Sequence, residues 1–60
     1  MAKVGDRFLR INENGIVIEY EIVGYSPNKK KIKLRRRNPD VPNDYWYSGK
    51  GMKDWKIELL

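Results

Sequence analysis

Between residues 16 and 23 the chain reads Ile-Val-Ile-Glu-Tyr-Glu-Ile-Val, and this alternation constrains the fold more than any other feature. A period of two puts Ile16, Ile18, Tyr20 and Ile22 on one face of an extended segment and Val17, Glu19, Glu21 and Val23 on the other. A helix would scatter the same residues around its circumference, so the segment predicts a half-buried strand with the even positions in the core. Just before it, Asn12-Glu13-Asn14-Gly15 supplies the residue types that a tight hairpin takes at positive φ. Arg7 to Ile11 is then the first strand. A two-residue turn sets Leu9 and Ile11 on the core face, whereas a three-residue loop with Gly15 at a bulge sets Phe8 there instead. The sequence is compatible with both.

Gly24 and Ser26-Pro27-Asn28 end the second strand, because proline has no N–H to donate and asparagine favours turns. A third strand follows over residues 30–37. There Ile32 and Leu34 point inward, which sends Lys31, Lys33, Arg35 and Arg37 outward together. The stretch from Asn38 to Asp44 contains Pro39 and Pro42 and reads as a loop, since proline is excluded from strand interiors. Tyr45-Trp46-Tyr47 forms a short fourth strand, and Ser48 to Asp54 holds one helical turn with Met52 tucked inward. Trp55, Ile57 and Leu59 then alternate with Lys56 and Glu58 in a closing fifth strand.

This order of elements resembles the SH3-like small barrel shared by Tudor, KOW and chromatin-protein domains. Val4-Gly5-Asp6-Arg7-Phe8 and the run from Met52 to Leu59 are its most suggestive stretches. The resemblance implies an all-β, five-stranded SH3-like small barrel with a single helical turn before the last strand. Such a superfold hosts many functions, so function has to be read from the residues.

A chain of 60 residues has material for one small core, and residues 1–60 read as a single domain. It contains no cysteine and no histidine. Neither a disulfide nor a zinc-type site therefore staples the core, which holds by packing alone or by self-association into a homo-oligomer. The same absences, with no paired carboxylates placed for desolvation, remove the usual catalytic groups. The expectation is a binding protein without enzymatic activity or cofactor. No apolar run approaches the ~20 residues of a membrane span, and the first residues carry no signal-peptide pattern. The expected setting is away from the membrane, cytoplasmic or nucleoid-associated.

The net charge of +5 is unevenly placed. Residues 29–37 hold seven of the thirteen basic side chains and no acidic one, leaving six basic against eight acidic elsewhere. Such a stripe makes a directional field that steers the molecule toward polyanions. Cations two apart on a strand repeat at about 6.6–6.8 Å, near the per-strand phosphate spacing, and guanidinium groups clamp phosphate oxygens bidentately. Lys31, Lys33, Arg35 and Arg37 are thus the candidate nucleic-acid contacts, with Lys50 extending the cationic surface and Trp46 and Tyr47 offering rings to stack on bases. DNA is expected in preference to RNA. The competing, bland reading is that Glu19 and Glu21, outward on the neighbouring strand, simply pair with those cations.

A second class of function is a protein-interaction module or small inhibitor. Its partner is an acidic protein, or a methylated peptide held in an aromatic cage with acid from Asp40, Asp44 or Asp54. The two classes differ in layout. A protein-binding face sets its aromatics apart from the cations, whereas a nucleic-acid face merges them.

Overall fold

The computed structural model describes residues 3–38 and 40–60, the side chains of residues 40 and 41 excepted. Five strands are present: β1 (Arg7–Ile11), β2 (Val17–Tyr25), β3 (Lys31–Asn38), β4 (Asp40–Ser48) and β5 (Lys56–Leu59). They form one antiparallel sheet in the order β4-β3-β2-β1-β5. The all-β, five-stranded expectation holds, with two corrections. The sheet is open, β4 and β5 being its two edges, so the described residues do not close a barrel. Residues 49–54 make successive turns rather than a helical element. Met52 N–H donates to the Ser48 carbonyl at 3.1 Å and Trp55 N–H to the Met52 carbonyl at 3.0 Å. Gly49 and Gly51 disfavour propagating that single turn.

The β1–β2 hairpin resolves the choice that the sequence leaves open. Ile11 pairs with Val17, and Asn12 N–H donates to the Ile16 carbonyl at 2.9 Å, so the loop has three residues. Gly15 takes φ +79° and donates its N–H to the Asn12 carbonyl at 2.9 Å. The Asn12 side chain holds the same turn, its Oδ1 accepting from the N–H groups of Asn14 and Ile16, each at 2.9 Å. This register sets Phe8 opposite Tyr20, and therefore Phe8 rather than Leu9 or Ile11 faces the core.

The core lies on one face of the sheet and consists of Phe8, Ile18, Tyr20, Ile22 and Leu34. Burying each of the aliphatic side chains and Phe8 is worth about 1.5–3 kcal/mol, and here the rings also stack. Tyr20 lies 5.4 Å from Phe8 and 5.5 Å from Trp55 between ring centroids. Trp55 and Met52 come from the turn segment and pack over the core beside Ile32 and Tyr47. Ile16, expected inside, is 54 % exposed: it has the right parity but precedes the strand, where nothing covers it.

The fourth strand begins well before the aromatic run. Asp40 pairs with Arg37 and Asp44 with Arg35, so residues expected to form a loop are strand. Proline is excluded from central strands because it cannot donate to the ladder, but β4 is an edge strand and tolerates Pro42. Pro39 lies outside the described residues.

Candidate nucleic-acid interface

Register decides which cations share a surface. On the face opposite the core, Glu21 pairs with Arg35, Arg35 with Asp44, Lys33 with Trp46 and Lys31 with Ser48. Lys31, Lys33, Arg35, Arg37 and Trp46 are thereby brought onto one face, as the alternation of β3 predicts.

Two of these four cations are engaged by carboxylates. Arg35 makes a two-pronged contact with Asp44, Nε to Oδ1 at 2.7 Å and Nη2 to Oδ2 at 3.1 Å. That hydrogen bond, with the positive charges of Arg35 and Lys33, holds the Asp44 carboxyl below its ordinary pKa against a smaller opposing effect of burial. Arg37 Nε lies 3.4 Å from Glu21, whose carboxylate is also 3.9 Å from Arg7, and Arg7 is 3.4 Å from Glu19. The bland reading thus describes the Arg35 and Arg37 end of the stripe. The sequence anticipated glutamates as partners; Asp44 enters because β4 starts earlier than expected.

The lysine end is different. Lys33 stands over the exposed Trp46 ring, its Nζ 5.3 Å from the centroid. Beyond it, two turns meet at one end of the β3–β4 ribbon. In the first, Ser26 N–H donates to the Lys31 carbonyl and Lys29 N–H to the Ser26 carbonyl. The Ser26 and Asn28 side chains brace this turn, the Ser26 Oγ accepting from Lys31 N–H and the Asn28 Oδ1 from Lys30 N–H, both at 3.0 Å. In the second turn, Gly49 N–H donates to the Lys30 carbonyl at 3.3 Å, which ties the two together. Between them is an open cleft of about 560 Å³ lined by Lys29, Lys30, Lys31, Ser48, Gly49 and Lys50.

No carboxylate is among the described residues of that lining, to which four lysines contribute. Lys31 belongs both to the cleft and to the outer row, making the two surfaces continuous. Strand parity does not point to Lys29 and Lys30, which precede β3. Turn geometry gathers them, and the signal for it was the Ser-Pro-Asn turn directly before the lysine run.

Tyr47 is not part of this surface. It faces the core side, edge-on to Tyr20 at 6.3 Å and to Trp55 at 5.1 Å. Burial, and next the neighbouring Tyr20, push its phenol pKa up, with Arg36 partly offsetting them. Arg36 pairs with Tyr20 across β2–β3 and also lies on the core side. Burial works against its charge, but the Tyr20 and Tyr47 hydroxyls outweigh that and raise its pKa. The Tyr20 hydroxyl and Arg36 Nε are both buried, and neither meets the geometry of a hydrogen bond with a described residue.

The Trp55 face is occupied by the Arg10 guanidinium, 3.9 Å from the ring centroid, and Asp44 is bound to Arg35. The side chain of Asp40 is outside the described set. A second cleft, of about 570 Å³, lies between the β1–β2 loop and the turn segment, where Arg10 and Lys56 are matched by Glu13 and Asp54. Its charges balance, so it exerts little pull on an anion. Comparison with protein-family models, with curated proteins and with solved structures finds no match to this chain.

Proposed function

We propose that this protein binds nucleic acid through its phosphate backbone, with the lysine cleft as the anchoring site and the Lys33–Trp46 surface as its extension. The observation that carries this reading is that Lys29, Lys30, Lys31 and Lys50 line one cleft with no described carboxylate among its lining residues. A phosphodiester chain entering there meets hydrated ammonium groups, displaces counterions and gains affinity from their release. The cleft is shallow and open and offers no rigid fork of donors, so it suits a backbone running past better than one tightly enclosed small anion. Trp46, 49 % exposed, lies where the same strand can lay a base against the ring.

The merged layout of cation and ring favours this reading over a protein-interaction face, on which the two are set apart. Ammonium contacts to phosphate carry no base information, so binding is expected to vary little with sequence. The test is a titration of tryptophan fluorescence with duplex DNA, single-stranded DNA and RNA at low and moderate salt, with heparin as a polyanion control. Saturable quenching that weakens with salt and is tighter for a nucleic acid than for heparin supports the proposal. Absence of saturable binding at low salt overturns it.

A further inference from the structure

At the edge opposite the lysine cleft the sheet ends in β5, whose far side has no neighbouring strand among the described residues. Its residues alternate Lys56-Ile57-Glu58-Leu59. Ile57 pairs with Arg10 and Leu59 with Phe8, so both apolar side chains lie on the core face. They are nevertheless 44 % and 74 % exposed, because neither belongs to the core cluster of the described residues, whose member on β1 is Phe8. Lys56 and Glu58 lie on the outer face, and neither makes an ion pair among the described residues.

The backbone of the same strand is directed outward at those apolar positions. In β1 the even residues bond toward β2, as the Ile22 N–H to Asp6 carbonyl and Asn12 N–H to Ile16 carbonyl bonds establish. The odd residues therefore bond toward β5, and Leu60 N–H donates to the Arg7 carbonyl at 3.3 Å. Continuing that ladder, Glu58 and Lys56 bond to Leu9 and Ile11, and the N–H and C=O groups of Ile57 and Leu59 point away from the sheet.

We infer that β5 is the contact by which a second copy of this chain adds to the sheet, antiparallel about a two-fold axis with Ile57 opposite Ile57. Only this register satisfies all three features of the strand. It exchanges two backbone hydrogen bonds between the Ile57 residues, whose polar groups already face outward. It sets Lys56 opposite the partner's Glu58, and Glu58 opposite the partner's Lys56, on the outer face. On the core face it brings Leu59 opposite the partner's Trp55 and so extends both cores. Moving the axis by one residue sets Glu58 against Glu58 or Lys56 against Lys56, which is repulsive. A half-step sets each isoleucine opposite a charged residue and turns one copy's core face outward.

The other edge is less suited to pairing with a copy of itself, since β4 carries Pro42, which has no N–H to contribute. With four residues in the strand, the association is weak and concentration-dependent.

Charge exchange tests the register directly. Lys56→Glu, Glu58→Lys and the double exchange are made in the full chain, and circular dichroism establishes that each is folded. Their sedimentation equilibrium is then compared from about 10 µM to about 1 mM. The wild type is expected to dimerise over that range. Each single exchange creates two like-charge pairs per dimer and should raise the dissociation constant about tenfold, while the double exchange restores it. A wild type that stays monomeric throughout, or a dimer whose affinity ignores the single exchanges, overturns the inference.

Discussion

Lys29 has φ +59°, a region that side chains other than glycine, asparagine and aspartate adopt at a cost of roughly 1 kcal/mol. A glycine would fit this turn better, yet the position carries one of the four cleft lysines. Lys29→Gly is expected to stabilise the fold by about 0.5–1 kcal/mol in urea denaturation while weakening nucleic-acid binding. A variant that gains stability and binds unchanged would leave Lys29 without a role in the cleft. Asp44 makes the stability of the fold depend on pH. Its carboxyl is more acidic in the folded chain than in the unfolded one, chiefly through the hydrogen bond from Arg35. The stability it contributes is therefore complete above the ordinary carboxylate pKa and is lost as pH falls through the lower, folded value. Asp44→Asn should flatten the acid limb of a plot of stability against pH. An acid limb of unchanged slope would show that the Arg35–Asp44 pair adds nothing in solution.

For the elements, the sequence specified strand character and lost definition where the sheet itself makes the choice. Even-numbered burial at Ile18, Tyr20 and Ile22, and the outward row on β3, follow from a period of two and needed no tertiary knowledge. The hairpin register did not follow, because Asn-Gly suits both two- and three-residue loops. What selects the longer loop is the Asn12 side chain bonding two N–H groups at once. Replacing Gly15 by Ala keeps those bonds but forces a side chain to φ +79°, at an expected cost of about 1 kcal/mol, read as a lower urea midpoint at unchanged slope. The early start of β4 was also hidden, since proline argues against a central strand only and edge position is not written locally. With that strand went the Arg35–Asp44 pair, and so the division of the stripe into an ion-paired arginine end and a lysine end without ion pairs among the described residues.

For the whole molecule, the open sheet places its two unsatisfied features at opposite edges. The cationic cleft lies at the β3–β4 side, and the exposed apolar strand is β5. The charge stripe was evident from composition along the chain, but its division into ion-paired and other cations was not, because ion pairing depends on which strands become neighbours. The salt dependence of duplex-DNA affinity, compared between wild type and two variants, tests that division. One variant replaces Lys29, Lys30, Lys31 and Lys50 by Gln; the other replaces Arg35 and Arg37 by Gln. Each phosphate contact removed should lower the slope of log affinity against log salt by about 0.9. The lysine variant is predicted to lose about 3 to 4 units of slope together with most of its affinity, and the arginine variant to stay close to wild type. Equal losses in the two variants, or a lysine variant with the wild-type slope, would contradict the assignment of the cleft as the nucleic-acid site.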